Sequence, residues 1–133
     1  MSLKLTILSP ERRLLEGASV QEVTLFGTEG QIQILEGHAP MIGTLETGPF
    51  FYRTQDGVQH AGVISTGFFE VVDDKVVVTA ETLELQGEID VERAKRAQKL
   101  AEDALKDANL DEHQFRKYQL KLQRSFIRQQ IGS

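Results

Sequence analysis

The amino-acid sequence predicts an all-β plus α chain: an N-terminal antiparallel β-sandwich of about eight to ten short strands, followed by a C-terminal antiparallel two-helix hairpin. Two observations carry that expectation. Up to Gly87, apolar residues alternate with polar ones in short runs closed by Gly, Pro or Asp, the two-residue period of half-buried strands. Past Gly87 the apolar positions recur at three- and four-residue spacing, which is helical. The expected domains are therefore residues 1–87 and 88–133.

In the first domain, Leu3, Leu5 and Ile7 alternate with Lys4 and Thr6, and Pro10 closes that run because proline cannot donate to a strand ladder. Val23 and Leu25 share one face of a second run that stops at Gly27. The Gly27-Thr-Glu-Gly30 segment precedes a strand rather than a helix, so it reads as a hairpin turn and not as a phosphate loop. Ile32 and Ile34 then alternate with Gln31 and Gln33. Further runs, Phe50 to Thr54, Val58 to Ile64, Gly67 to Val72 and Lys75 to Ala80, are joined in part by turns at Asp56-Gly57 and Asp73-Asp74. Between the third run and Phe50, the segment from Gly37 to Gly43 reads as a compact apolar loop. It is either a protein contact or an internally packed corner.

In the second domain, Asp90 is placed to cap a helix on which Val91, Ala94, Ala97, Ala101, Ala104 and Ala108 form a stripe. Alanine favours the helix and lets a neighbour approach closely, but it buries little area at about 25 cal/mol per Å². Such a seam suits both a fixed, tight hairpin and one that opens. Asn109-Leu110 breaks the helix, and Asp111 with Gln114 offers a second, box-like cap. Phe115, Tyr118, Leu122 and Phe126 are expected to line one side of the next helix, antiparallel to the first because the connection is short. Glu84 to Ala94 forms an acid-rich hinge between the two domains.

Composition narrows the function classes. The 133 residues include no cysteine, which excludes disulfides, thiolate catalysis and Cys-based zinc sites. The N-terminus lacks the pattern of a signal peptide, and no window approaches the roughly 20 apolar residues of a membrane span. No direct membrane insertion is expected. His38, His60 and His113 show no metal-ligand spacing, and no nucleophile elbow, Walker loop or dinucleotide fingerprint is present. No metal site, catalytic residue or enzymatic activity is expected. The net charge of -5 is uneven: residues 113–133 carry Arg116, Lys117, Lys121, Arg124 and Arg128 and no acidic residue. Without interleaved stacking aromatics this basic tip does not predict nucleic-acid binding; it suits a solvated face or an acidic protein partner.

Several motifs in fixed order resemble one family. They are Gly27-x-x-Gly30-x-Ile32-x-Ile34-Leu35-x-Gly37-His38-Ala39-Pro40, then Leu45-x-x-Gly48, then Gly67-Phe68-x-Glu70-Val71, and Ile89-Asp90-x-x-Arg93-Ala94. Together they resemble the epsilon subunit of the rotary proton-translocating ATP synthase, called delta in mitochondria, from Leu3 to about Ile131.

The resemblance implies a non-catalytic central-stalk subunit that couples c-ring rotation to the catalytic head through gamma and inhibits ATP hydrolysis by movement of its C-terminal hairpin. Its partners would be the gamma subunit, the c-ring, and the alpha and beta subunits of the head. It would be a peripheral membrane protein on the cytoplasmic face of the bacterial inner (plasma) membrane. On this reading His38, Ala39, Pro40, Met41 and Ile42 contact the c-ring or gamma, while Arg116, Lys117, Lys121, Arg124 and Arg128 meet the catalytic head. Some members bind ATP, and the matching positions here are Glu84, Ile89, Asp90, Arg93, Ala94, Arg124 and Arg128. A further basic position of such members is Leu100 here, which points to weak regulatory ATP binding and no required cofactor. The alternative to this whole reading is a stand-alone β-sandwich that binds a ligand or peptide and self-associates through its helical hairpin.

Overall fold

The computed structural model describes residues 2–132; Met1 and Ser133, the outer ends of the two expected domains, lie outside the described residues. The chain divides into two compact units, Met1–Leu85 and Gln86–Ser133.

Among the described residues the first unit holds nine strands: β1 (Leu3–Leu8), β2 (Arg13–Gly27), β3 (Gly30–Leu35), β4 (Met41–Leu45), β5 (Gly48–Thr54), β6 (Gln59–Ile64), β7 (Gly67–Val72), β8 (Lys75–Ala80) and β9 (Leu83–Leu85). The 15-residue β2 is the spine. Its first half pairs with β1, from Leu8↔Arg13 to Leu3↔Val20, and its second half pairs with β3 and β5. One layer thus runs β4-β7-β8-β1 and the other β3-β2-β5-β6-β9, with β2 shared between them. Leu5, Val23, Leu25, Ile34, Phe69 and Val71 are fully buried between the layers. Each such side chain contributes about 1.5–3 kcal/mol of burial. The alternation seen in the sequence is therefore the alternation between core and outer face.

Three departures from the sequence reading have local causes. The second strand starts ten residues before Val23 and is long because it serves two layers. Met41, Ile42 and Gly43 are not loop residues: they form β4, in register with Val71, Glu70 and Phe69 of β7. The loop shortens to residues 36–40. Finally, β1 runs parallel to β8, from Lys4↔Lys75 to Leu8↔Thr79, within an otherwise antiparallel set of pairs.

The second unit opens with a 3-10 turn, Gln86–Glu88, followed by α1 (Val91–Leu105) and α2 (Glu112–Gly132). Asp90 caps α1 by accepting the Arg93 backbone N–H at 3.1 Å. Lys106 ends α1, so Ala108 falls in the exposed turn beyond the helix, where Asp107 accepts the Asn109 N–H at 2.9 Å. Asp111 accepts the Gln114 N–H at 2.7 Å and Gln114 accepts the Asp111 N–H at 3.3 Å, a reciprocal capping box.

The helices pack through a seam of small and polar residues. Ala94 and Ala101 of α1 are buried, and so are Ser125 and Ile131 of α2. Gln129 donates to Gln98 across the seam at 2.7 Å. A Cβ at Gly132 would come within 2.8 Å of Ile89 and 2.9 Å of Val91, so the end of α2 lies against the start of α1. Only half of the expected stripe borders this seam: Tyr118 and Leu122 are half-buried. Phe115 and Phe126 are 43% and 49% exposed, because at 100° per residue they lie roughly 80° and 100° around α2 from Ser125.

Candidate functional site

The first candidate site is built by β3, β4, β7 and β8. Gly37 turns the chain out of β3 at φ 85°, a left-handed conformation suited to glycine. The His38 N–H donates to Leu35 O at 3.1 Å, and its ring Nδ1–H donates to Ala39 O at 2.7 Å. Half-buried His38 is thus tied into the loop, while Ala39 and Pro40 are exposed. Met41 and Ile42 follow on β4, with Ile42 74% exposed. Beside them Gly43 faces inward, where a Cβ would lie 2.5 Å from the Phe69 ring, so glycine leaves the space that ring fills.

The ladder then extends the exposed apolar face beyond the loop. Ile42 is opposite Glu70, and Glu70 is opposite Val77; Thr44 is opposite Phe68, and Val72 is opposite Lys75. Phe68, Val72 and Val77 are 56%, 40% and 38% exposed. Sequence reasoning had not assigned these three to a surface. The signal was present in Gly67-Phe-Phe-Glu-Val-Val72, which is apolar at both parities, so one parity must lie outside the core.

The residues matched to an ATP site fall in both units. Glu84 lies in β9, paired with Val63. Ile89, Asp90, Arg93 and Ala94 gather at the start of α1; Asp90 is occupied by its cap, Arg93 is exposed and Ala94 is buried. Arg124 and Arg128 lie on successive turns of α2, and the register set by Gln98–Gln129 and Gly132–Val91 brings Arg128 alongside the first turns of α1. Arg124 Nε is buried with no hydrogen-bond partner.

The five basic positions separate into two kinds. Arg116, Lys117 and Lys121 are exposed, with Lys121 Nζ 5.5 Å from the Tyr118 ring centroid, whereas Arg124 and Arg128 are half-buried. Among the described residues no group of three or more His, Asp or Glu side chains could hold a metal ion, and no helix is long and apolar enough to cross a membrane.

Comparison with known proteins follows the same division. Residues 2–86 match the beta-sandwich domain of the ATP synthase delta/epsilon chain, and residues 88–131 match its long alpha-helix domain. The ATP synthase epsilon chain of Trichlorobacter lovleyi is 42% identical, covering 98% of this chain and 93% of its own length. That of Geotalea uraniireducens is 41% identical, covering 98% and 94%. A chain of the Euglena gracilis mitochondrial ATP synthase, in a structure of its OSCP, F1 and c-ring, superposes with a TM-score of 0.84 at 24% identity, covering 94% of this chain and 78% of that one. One from the central stalk and c-ring of the Tetrahymena thermophila enzyme gives 0.69 at 14% identity, covering 100% and 98%. With both domains matched in order and relatives above 40% identity spanning nearly all of it, this chain belongs to the ATP synthase delta/epsilon chain family, whose members are subunits that are not themselves catalytic.

Proposed function

We propose that this subunit couples rotation of the c-ring to the catalytic head through gamma, and restrains ATP hydrolysis through movement of its C-terminal hairpin. The observation that carries the coupling half is the exposed row of Ile42, Phe68, Val72 and Val77 on one continuous ladder. Large apolar side chains grouped on a free sheet face suit a protein partner. Gamma covers this face, and the loop of His38, Ala39 and Pro40 at its end reaches the c-ring. Ile42→Lys replaces an exposed apolar side chain of the face, opposite Glu70, with a charged one without touching the core. It should lower capture by the purified gamma subunit of the same enzyme at least tenfold with the melting temperature unchanged; wild-type capture rejects the assignment.

The regulatory half rests on the second unit. Its seam of Ala94, Ala101 and Ser125 buries little apolar area, so the energy separating alternative arrangements of the helices is small. Exposed Arg116, Lys117 and Lys121 then steer toward acidic surface on alpha and beta, an attraction that weakens with salt. ATP hydrolysis by the assembled enzyme, with and without residues 89–133, tests this: removal should raise the rate, and an unchanged rate leaves coupling alone.

Weak regulatory ATP binding is proposed at Arg124 and Arg128, because the buried, unsatisfied Nε of Arg124 would be satisfied by a phosphate oxygen. ATP shifts the hairpin only by its differential affinity for the two arrangements. Unchanged ATP binding by Arg124→Ala in calorimetry removes this role. The subunit accordingly works peripherally on the cytoplasmic face of the bacterial inner membrane, as part of the synthase.

A further inference from the structure

We propose that Asp74, in the turn between β7 and β8, is the positioning residue for the docking loop of residues 36–40, a role that rests on the docking surface assigned above. The Asp74 carboxylate accepts the backbone N–H of Gly37 at 2.7 Å, across a sequence separation of 37 residues. Gly37 is the residue whose left-handed backbone turns the chain from β3 toward His38. Its N–H, held by the side-chain oxygen of Asp74, sets the direction in which His38, Ala39 and Pro40 leave the sheet.

Asp74 is itself firmly placed. Asp73 and Asp74 have φ of 49° and 60°, and Val72 pairs with Lys75, so the two aspartates are the central residues of a two-residue hairpin of the primed type. The Asp74 carbonyl also accepts the Lys4 N–H at 2.8 Å. One residue therefore joins the beginning of β1, the β7–β8 turn and the docking loop. The β7–β8 ladder that carries Phe68, Val72 and Val77 is the same ladder that carries this acceptor. The loop and the apolar face are thereby held in one geometry, which a rigid partner surface requires.

Two substitutions separate the acceptor from the turn. Asp74→Asn and Asp74→Gly both remove the charge, and Asn and Gly both tolerate the positive φ, but only Asn keeps an oxygen in place for the Gly37 N–H. In the full chain, Asp74→Gly should keep the wild-type melting temperature while the Gly37 amide exchanges roughly tenfold faster, the worth of one hydrogen bond. Capture by purified gamma should fall several-fold. Asp74→Asn should restore most of both effects. Wild-type capture by Asp74→Gly, with Ile42→Lys defective, overturns the role of Asp74 and leaves the docking face standing. Wild-type capture by both variants overturns the docking face, and the role of Asp74 with it. Equal defects in Asp74→Asn and Asp74→Gly also overturn the proposal, because charge rather than the acceptor would then be responsible.

Discussion

At the scale of single residues, turn chemistry is the most exposed to direct test. Asp56 lies in the β5–β6 turn, where its carboxylate accepts the Thr54 hydroxyl and the Val58 N–H. The Thr54 hydrogen bond, followed by that from Val58, holds its pKa below the ordinary carboxylate value. A folded pKa that is depressed stabilises the fold above the unfolded value, and that contribution is lost as pH falls through the folded value. A carbon-detected titration of the native chain should therefore show Asp56 ionising below a reference aspartate. Thr54→Val should move it back upward, and an Asp56 that titrates identically in both chains contradicts the turn geometry. The aspartate-glycine turn was readable from residue type; the long-range bond between Asp74 and Gly37 was not, because residue type does not reveal which distant amide an acidic turn will face.

At the scale of elements, the caps matter most where the helices have little else. Of the apolar residues of α2 only Ile131 is fully buried, so much of the helix is held by its neighbour's seam and by its own ends. Asp111 satisfies the Gln114 N–H and in turn receives support from Gln114. Asp111→Ala should cost about 1 kcal/mol of hairpin stability and reduce helicity at 222 nm in circular dichroism, with Asp111→Asn close to wild type. Equal helical signal and melting in Ala and Asn would show that packing alone sets the start of α2. Both caps, Asp90 and Asp111, were legible in the sequence because capping is a local exchange between residues three apart. The seam was only partly legible, for the opposite reason. Aromatic spacing on α2 named an apolar stripe, but the residues that face α1 are set by how closely Ala94 and Ala101 let the partner approach.

At the scale of the molecule, the division of the hydrophobic core has a consequence for the deletion experiment. Every residue of the main core, from Leu3 to Leu83, belongs to the first unit. A chain ending at Glu88 should therefore unfold cooperatively and still capture gamma, which makes it the proper control for the hydrolysis assay. If that fragment fails to fold, the core of the first unit is not sufficient by itself. By contrast, residues 86–133 alone should be weakly helical in water, because two helices whose buried apolar residues are Ala94, Ala101 and Ile131 gain little from packing.

Local chemistry, read from the sequence alone, determined the change from strand to helix near Gly87, the alternation that selects core residues such as Leu5 and Val71, and both helix caps. These depend on residues a few positions apart. The parallel pairing of β1 with β8, the sharing of β2 by two layers and the growth of Ile42 into a face with Phe68, Val72 and Val77 depend on segments that are not neighbours along the chain. A strand's alternation says which side chains share a face, but not which strand lies beside it or in which direction. That choice is made by loop closure and the packing of the whole core, so only the tertiary structure could decide it.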